Sequence, residues 1–384
     1  MQRFQHSADD VVGGPADEGR GKLTLISPVA AGWPQRLSCR DSAKPPVGEH
    51  DLLDHIARMF EARGLSFPRS LLVNYYVSLK TNPFVVLAGA EGYGKAEFAT
   101  VFAEALLGHG SSQYALIPAG SAWTRATGED GYYRGLQERF TSLRFLDLLQ
   151  DAASPASAGK AYLVCLNGLR PEEFDYYFGT LLQMDSVGRK RLKLPGIPRE
   201  EWPVVPPNVS ITATVNTAEY AGALSREVLR HAGLIHFRAP LRRAPGRITH
   251  AAPPPVGYQR LWLRAVTRGA GDAHDRLREV LGDQALRQLR CSPELARLLW
   301  RGGVVLSSRT LQELAAYVAA SFDEHGRGLL DSSDPARNAR LAFDAQVVQR
   351  VLWKLHDTAD AELRADLAAY LDELSPPWRQ QAVA

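Results

Sequence analysis

The chain has 384 residues, 45% of them hydrophobic and 23% charged, and its 45 basic and 42 acidic side chains leave a formal net charge of +3. This is the balance of a soluble globular protein with core enough for two domains, and no apolar stretch approaches the roughly 20 residues that a membrane span requires. Three widely spaced cysteines (Cys39, Cys165, Cys291) with no ligand neighbours argue against a disulfide framework or a zinc site, and with the apolar-poor start MQRFQHSADD they point to a reducing cytoplasm.

Residues 1–48 are rich in Gly, Pro, Ser and Ala and contain one strand-like run, LTLISPVA. They read as a tail or docking element without chemistry of its own. Over 49–238, helical patterns alternate with short β-type runs: DLLDHIARMFEA, SLLVNYYVSL, FVVLAGA, the stretch after Lys95, YALIPA, AYLVCLNG and VSITATVN. That alternation predicts a parallel sheet wrapped by helices, an α/β domain. Residues 239–258 carry five prolines and form a natural linker. Beyond it, over 259–384, DRLREVLGDQALRQL, RTLQELAAYVAASF and AQVVQRVLWKLHDT have apolar residues at helical spacing and no strand pattern between them. This second domain is expected to be all-helical.

Within the α/β domain, PFVVLAGAEGYGKAEFATVFAEALLG places GxxxxGK between a buried-type strand and an amphipathic helix. A phosphate-binding loop needs that setting. Gly89, Gly92 and Gly94 let backbone N–H groups curl around phosphate oxygens, the helix presents its positive end, and Lys95 neutralises β/γ-phosphate charge. The candidate nucleotide contacts are therefore Gly89, Gly92, Tyr93, Gly94, Lys95 and Ala96. Ala96 is the exception in this set. A working loop carries Ser or Thr there, whose hydroxyl ligates the magnesium that bridges the phosphates. The loop predicts a site that holds a nucleotide without cleaving it.

Further segments, taken in order from about Phe67 to Leu355, resemble the McrB-like branch of the AAA+ ATPases. SLKTNPFVVLAG is similar to that family's lead-in to the loop. SAWTRATGEDGYYRGL, with Trp123, Thr124, Gly131, Tyr132 and Tyr133, resembles its Trp-Thr and Gly-Tyr-Tyr segment. AYLVCLNGLRPEEFDYYFGTLLQMDS, ending in Tyr176, Tyr177 and Phe178, looks like its Walker B strand and following helix. PPNVSITATVNTAEYAGALSREVLRHAGLIHF resembles its sensor-1 strand and arginine-finger region, while SSRTLQELAAYV and AFDAQVVQRVLWKLHD are similar to its helical lid. The resemblance implies a P-loop AAA+ domain followed by a lid, ATP or GTP as ligand, Asn216 as a sensor and Arg309 as a phosphate sensor. It also implies an oligomer of like or unlike AAA+ subunits and, by analogy alone, a nuclease or other defence-complex partner.

The departures fall on chemistry. Alignment on Tyr-Tyr-Phe puts Asn167 and Gly168 where the family has Asp-Glu, so the charge that holds magnesium and the base that activates water are both missing. The family's Asp-Arg-Ala becomes Arg230, His231 and Ala232, leaving Arg226 and Arg230, four apart on one helical face, as candidate arginine fingers. An arginine finger supplies roughly a thousand-fold or more, and a general base a further hundred-fold or so. Without them turnover falls below what a motor needs, and magnesium binding is weak or absent. The expectation is a degenerate AAA+ subunit, uncertain as an enzyme, that binds nucleotide to order an interface. Two alternatives stay open: an active NTPase using Asn167, Glu91 or Glu97, and Arg226 or Arg230, and a nucleotide-free scaffold for protein or DNA contact. Basic residues are scattered, so the charge allows a DNA surface without indicating one. The aromatic residues of the family-like segments read as packing groups, and the histidines show no ligand or triad spacing.

Overall fold

The computed structural model describes residues 48–82, 84–118, 145–169, 190–192, 198–217, 232–238, 240, 242–243, 254, 257–269, 272–290, 293–355 and 360–382. The expected tail and most of the expected linker lie outside these residues. So do the segments holding Trp123, Tyr132, Tyr133, Tyr176, Tyr177 and Phe178.

Five strands form one parallel sheet in the order β3-β4-β5-β2-β6: β2 (Phe84–Gly89), β3 (Tyr114–Pro118), β4 (Tyr162–Asn167), β5 (Val209–Asn216) and β6 (Gly233–Phe237). The expected parallel sheet wrapped by helices is present. β2 is central and buried along its whole length, which is why its sequence is an unbroken apolar run. The period of two still operates inside it. Phe84, Val86 and Ala88 enter the core beneath α4 (Phe145–Ala153), whereas Val85 and Leu87 enter the core shared with α1 (Glu49–Ala62), α2 (Arg69–Thr81) and α3 (Lys95–Leu107). A second, two-stranded sheet pairs β1 (Leu65–Ser66) antiparallel with β7 (Arg242–Arg243), inside the stretch expected to be a linker.

After Gly257 the described residues contain helices and turns, apart from one bridge between Phe322 and Gly328. The helices are α5 (Tyr258–Gly269), α6 (Ala273–Arg290), α7 (Pro293–Arg301), α8 (Ser308–Ala320), α9 (Pro335–Arg350), α10 (Ala361–Glu373) and α11 (Pro376–Ala382). The stretch DRLREVLGDQALRQL, with its helical spacing of apolar residues, is helical but broken at Gly282, which takes φ 75° and ψ 164°. Ser307, Asp334 and Asp360 start α8, α9 and α10 by accepting first-turn N–H groups, and Pro335 pre-sets the first residue of α9. None of the described helices is long and apolar enough to cross a membrane.

One apolar core joins the two halves. Phe60, Tyr76 and Phe102 from the α/β half share it with Trp262, Tyr317, Val347 and Trp378 from the helical half. α2 lies at its centre, and every residue from Leu71 to Lys80 is buried. A helix buried all round must satisfy its polar side chains internally. Lys80 Nζ donates to Glu49 Oε2 and to the Ala320 carbonyl, both at 2.6 Å. Glu49, itself buried, also accepts from the Tyr76 hydroxyl at 3.0 Å and from Arg268 at 3.2 Å. Burial pulls the Lys80 ammonium below its usual range, opposed by the Glu49 carboxylate. Lys80→Met removes one partner and leaves a buried carboxylate short of charge, so it is expected to cost about 3–5 kcal/mol. Urea unfolding measures the loss, and adding Glu49→Gln to the same chain should give less than the sum of the two single effects.

Candidate nucleotide site

The loop after β2 occupies the crevice at the carboxyl ends of three strands, because Gly89 pairs with Asn216 of β5 on one side and with Phe237 of β6 on the other. Packing demands the glycine. A Cβ on Gly89 would stand 2.6 Å from the Phe237 carbonyl oxygen. Gly92 and Gly94 have φ of 76° and 80°, the left-handed region that costs other residues about 1–2 kcal/mol. The Tyr93 N–H closes the turn on the Ala90 carbonyl at 3.4 Å, and the Tyr93 ring rests half-buried on the core. α3 then begins at Gly94, which brings no side chain to cap its N–H groups. Those donors and the helix dipole suit an anion.

Phe98 fixes the start of α3. Its ring stands 4.9 Å from Phe60, 5.2 Å from Phe67, and 5.4 Å from both Tyr75 and Phe237. Helix, strand β6 and the α1–α2 connection are thereby locked around the loop.

Lys95 is 5% exposed, and its ammonium donates to the carbonyls of Gly89 (2.8 Å) and Ala90 (2.7 Å) and to Asn216 Oδ1 (3.0 Å). Asn216 therefore meets the loop lysine directly. Three N–H donors face three acceptors, and a phosphate oxygen arriving at the loop would exchange with one of them. The glycine turns, the α3 N-terminus and this lysine fit the phosphates of a nucleotide.

Magnesium does not fit the donors beside them. Ala96 brings no side-chain oxygen, and its carbonyl accepts the Thr100 hydroxyl at 2.9 Å. Asn167, at the end of β4, has its Oδ1 taken by the buried Thr214 hydroxyl at 2.8 Å, and the same hydroxyl oxygen accepts the Gly168 N–H at 2.8 Å. Leu169 N–H closes the turn on the Thr214 carbonyl at 2.9 Å. Asn167 is tied to β5 by this clasp, and Gly168 takes φ 74°. Glu91 is exposed on the loop and Glu97 lies in the first turn of α3.

Arg309 sits in the first turn of α8, half-exposed, with its Nε donating to Glu313 at 3.0 Å; the other Glu313 oxygen accepts from the buried Arg350 at 2.8 Å. Lys190 lies within electrostatic reach of both Arg309 and Glu313, and burial, with the Arg309 cation second, pushes its ammonium down to about 8. Arg226 and Arg230 lie outside the described residues.

Three site residues escaped the sequence reading. Phe98 passed as one apolar residue among several. Thr214 carried a signal: Ser210, Thr212 and Thr214 alternate with Ile211, Ala213 and Val215 on a strand buried on both faces, so each hydroxyl needs an internal partner. His236 stands opposite Ala88 on β6, and burial, followed by the Arg238 charge, lowers its imidazole to about 4. No family model matches the chain, and no curated protein does.

Two outcomes follow from this geometry. Gly168→Glu, which puts a carboxylate where the resemblance implies a base, is expected to destabilise the fold by about 1–2 kcal/mol because of its left-handed backbone, and to give no phosphate release; thermal unfolding and a phosphate assay read both. Between pH 6.5 and about 4 the unfolded chain binds a proton at His236 that the folded chain refuses, so stability falls as pH drops through that window. The full shift is worth up to about 3 kcal/mol. His236→Phe should flatten that part of the urea-unfolding profile.

Proposed function

We propose that this chain is a degenerate AAA+-type subunit of the cytoplasm that holds ATP or GTP at Gly89–Ala96, with little or no hydrolysis, and serves as a structural or regulatory member of an oligomer. The observation that carries the proposal is the contrast inside one crevice. The loop glycines and the start of α3 suit a phosphate, with Lys95 buried beside them and aimed by Asn216. Of the three positions that the resemblance assigns to magnesium and water activation, Ala96 has no hydroxyl, Asn167 is tied to Thr214, and Gly168 has no side chain. Binding and chemistry use different atoms, so one can be kept while the other is lost.

In this reading the helices after Gly257 stand where the family has its lid in chain order, whether or not they move as one, and Arg309 stands at the place of its phosphate sensor. When bound, nucleotide supplies charge and a base that knit loop, strand ends and neighbouring subunit together. The chain's own residues contribute the backbone cradle and the Lys95 ammonium. The likeness to restriction motors supports, as analogy, a place in defence against foreign DNA beside an active ATPase or a nuclease.

A second reading has one observation in its favour. The three N–H donors of Lys95 are matched by acceptors of the loop and β5 themselves, an arrangement that also suits a scaffold without ligand.

Thermal unfolding with ATP, GTP and their non-hydrolysable analogues, with and without magnesium, separates these readings. A nucleotide at a hundred times its dissociation constant adds about 2.7 kcal/mol. The expected result is a raised melting temperature that Lys95→Ala abolishes, without phosphate release. Unchanged melting would leave the scaffold, and magnesium-dependent phosphate release lost in Lys95→Ala would make the chain an NTPase.

A further inference from the structure

The joint between the α/β half and the helical half is held by directional bonds on several sides of α2. Towards α8, the Tyr317 hydroxyl donates to Asn74 Oδ1 at 2.7 Å and Lys80 reaches the last carbonyl of the helix, Ala320. Towards α9, Gln349 Nε2 donates to the same Asn74 oxygen at 2.8 Å. Asn74, Lys80, Tyr317 and Gln349 are all buried. Gln349 is fixed in turn by Gln346, and Gln346 by Arg350, at 2.8 Å each. Towards α1 and α5, Glu49 gathers Tyr76, Lys80 and Arg268, while Arg268 also meets Glu324 at 3.2 Å. Arg276 of α6 donates to the carbonyls of Phe322 and Asp323 at 3.0 and 2.7 Å, tying down the turn that follows α8.

A lid that swings needs an interface that slides or opens cheaply, with few buried contacts and few bonds of fixed direction. Here a rotation of the helices about α2 would take Lys80 from Ala320, take Asn74 from two donors, and open an apolar core that runs without a break from Phe60 to Trp378. Packed interfaces of this kind do not deform continuously.

We propose that the helical half is a fixed brace clamped to α2 and not a hinged lid, so that filling the Gly89–Ala96 loop leaves the angle between sheet and helices unchanged. A nucleotide would then be sensed by a partner at the loop and the strand ends, where the contacts change, and not through a swing of the helices. The ligand arm of the test rests on the nucleotide reading above; the rigidity stands on the packing alone.

Spin labels on two exposed positions report the angle: Lys160→Cys, just before β4, and Gln312→Cys, on α8. The background carries Cys39→Ser and Cys291→Ser and keeps the buried Cys165. Double electron–electron resonance should give one narrow distance distribution without nucleotide, and its mean should move by less than about 2 Å with ATP, GTP or their analogues. A broad or two-peaked distribution in the free protein, or a larger shift with nucleotide, would overturn the brace. Melting temperatures of the same samples keep the two questions apart: if no nucleotide raises them, the nucleotide reading falls while the width of the distribution still decides rigidity. In a chain carrying Asn74→Leu and Lys80→Met, shown by circular dichroism to be folded, the distribution should broaden. A narrow one there would mean that the polar pins do not set the angle, and the brace as proposed would fail.

Discussion

Burial of the whole circumference of α2 is the constraint on which the rest of the molecule depends. Ten consecutive residues of that helix are withdrawn from water, and a helix in this position must find a partner for each polar side chain it carries. Lys80 finds Glu49 and the end of α8, Asn74 finds Tyr317 and Gln349, and Tyr76 finds Glu49. Buried ion pairs of this kind add little net stability over apolar residues of similar shape, because desolvation offsets their attraction. What they impose is geometry: the pair is satisfied in one arrangement of α1, α2, α5 and α8 and poorly satisfied in its neighbours. α2 runs through Asn82, whose side chain accepts the Phe84 N–H, into β2, and β2 ends at the phosphate-type loop. The arrangement of the helices and the placement of the loop are set by the same short stretch of chain.

At the other end of β2, electrostatics and sterics divide the work. Phe98 and its four aromatic neighbours position the start of α3 by packing, while Asn216 positions Lys95 by a hydrogen bond across one strand boundary. Thr214, two residues earlier on β5, does for the end of β4 what Asn216 does for the loop: it fixes the turn through Asn167 and Gly168. β5 is thus the strand that organises both sides of the crevice, although the glycine-rich motif lies on its neighbour.

Much of this was legible in the sequence, for physical reasons. Central parallel strands advertise themselves as short apolar runs, and FVVLAG and YLVCLN do so. The loop glycines and Lys95 are read from spacing because backbone conformation and charge dictate residue type directly. Boundaries between halves were less legible. Proline content suggests a linker over 239–258, yet Arg242 and Arg243 pair with β1, and helix period alone cannot say that α8 and α9, which pack on each other, both also reach α2. SLLVNYYVSL carries Asn74, Tyr75, Tyr76 and Ser78 among its aliphatic residues, and nothing in the string reveals that all four are inside. Their partners lie far along the chain: the Asn74–Gln349 bond spans 275 positions. Long-range polar pairing leaves no periodic trace, and for that reason the pins of the joint and the Thr214 clasp emerged only with the fold.

The left-handed turn at Gly168 also bears on which changes the chain tolerates singly. A residue with a side chain there would have to hold φ near 74°, a conformation that costs it about 1–2 kcal/mol. Because Thr214 grasps both Asn167 and the amide of Gly168, the turn is not free to relax around such a newcomer. Substitution at Gly168 is therefore coupled to Thr214: the strand must loosen its hold before the turn can accept a different residue without strain.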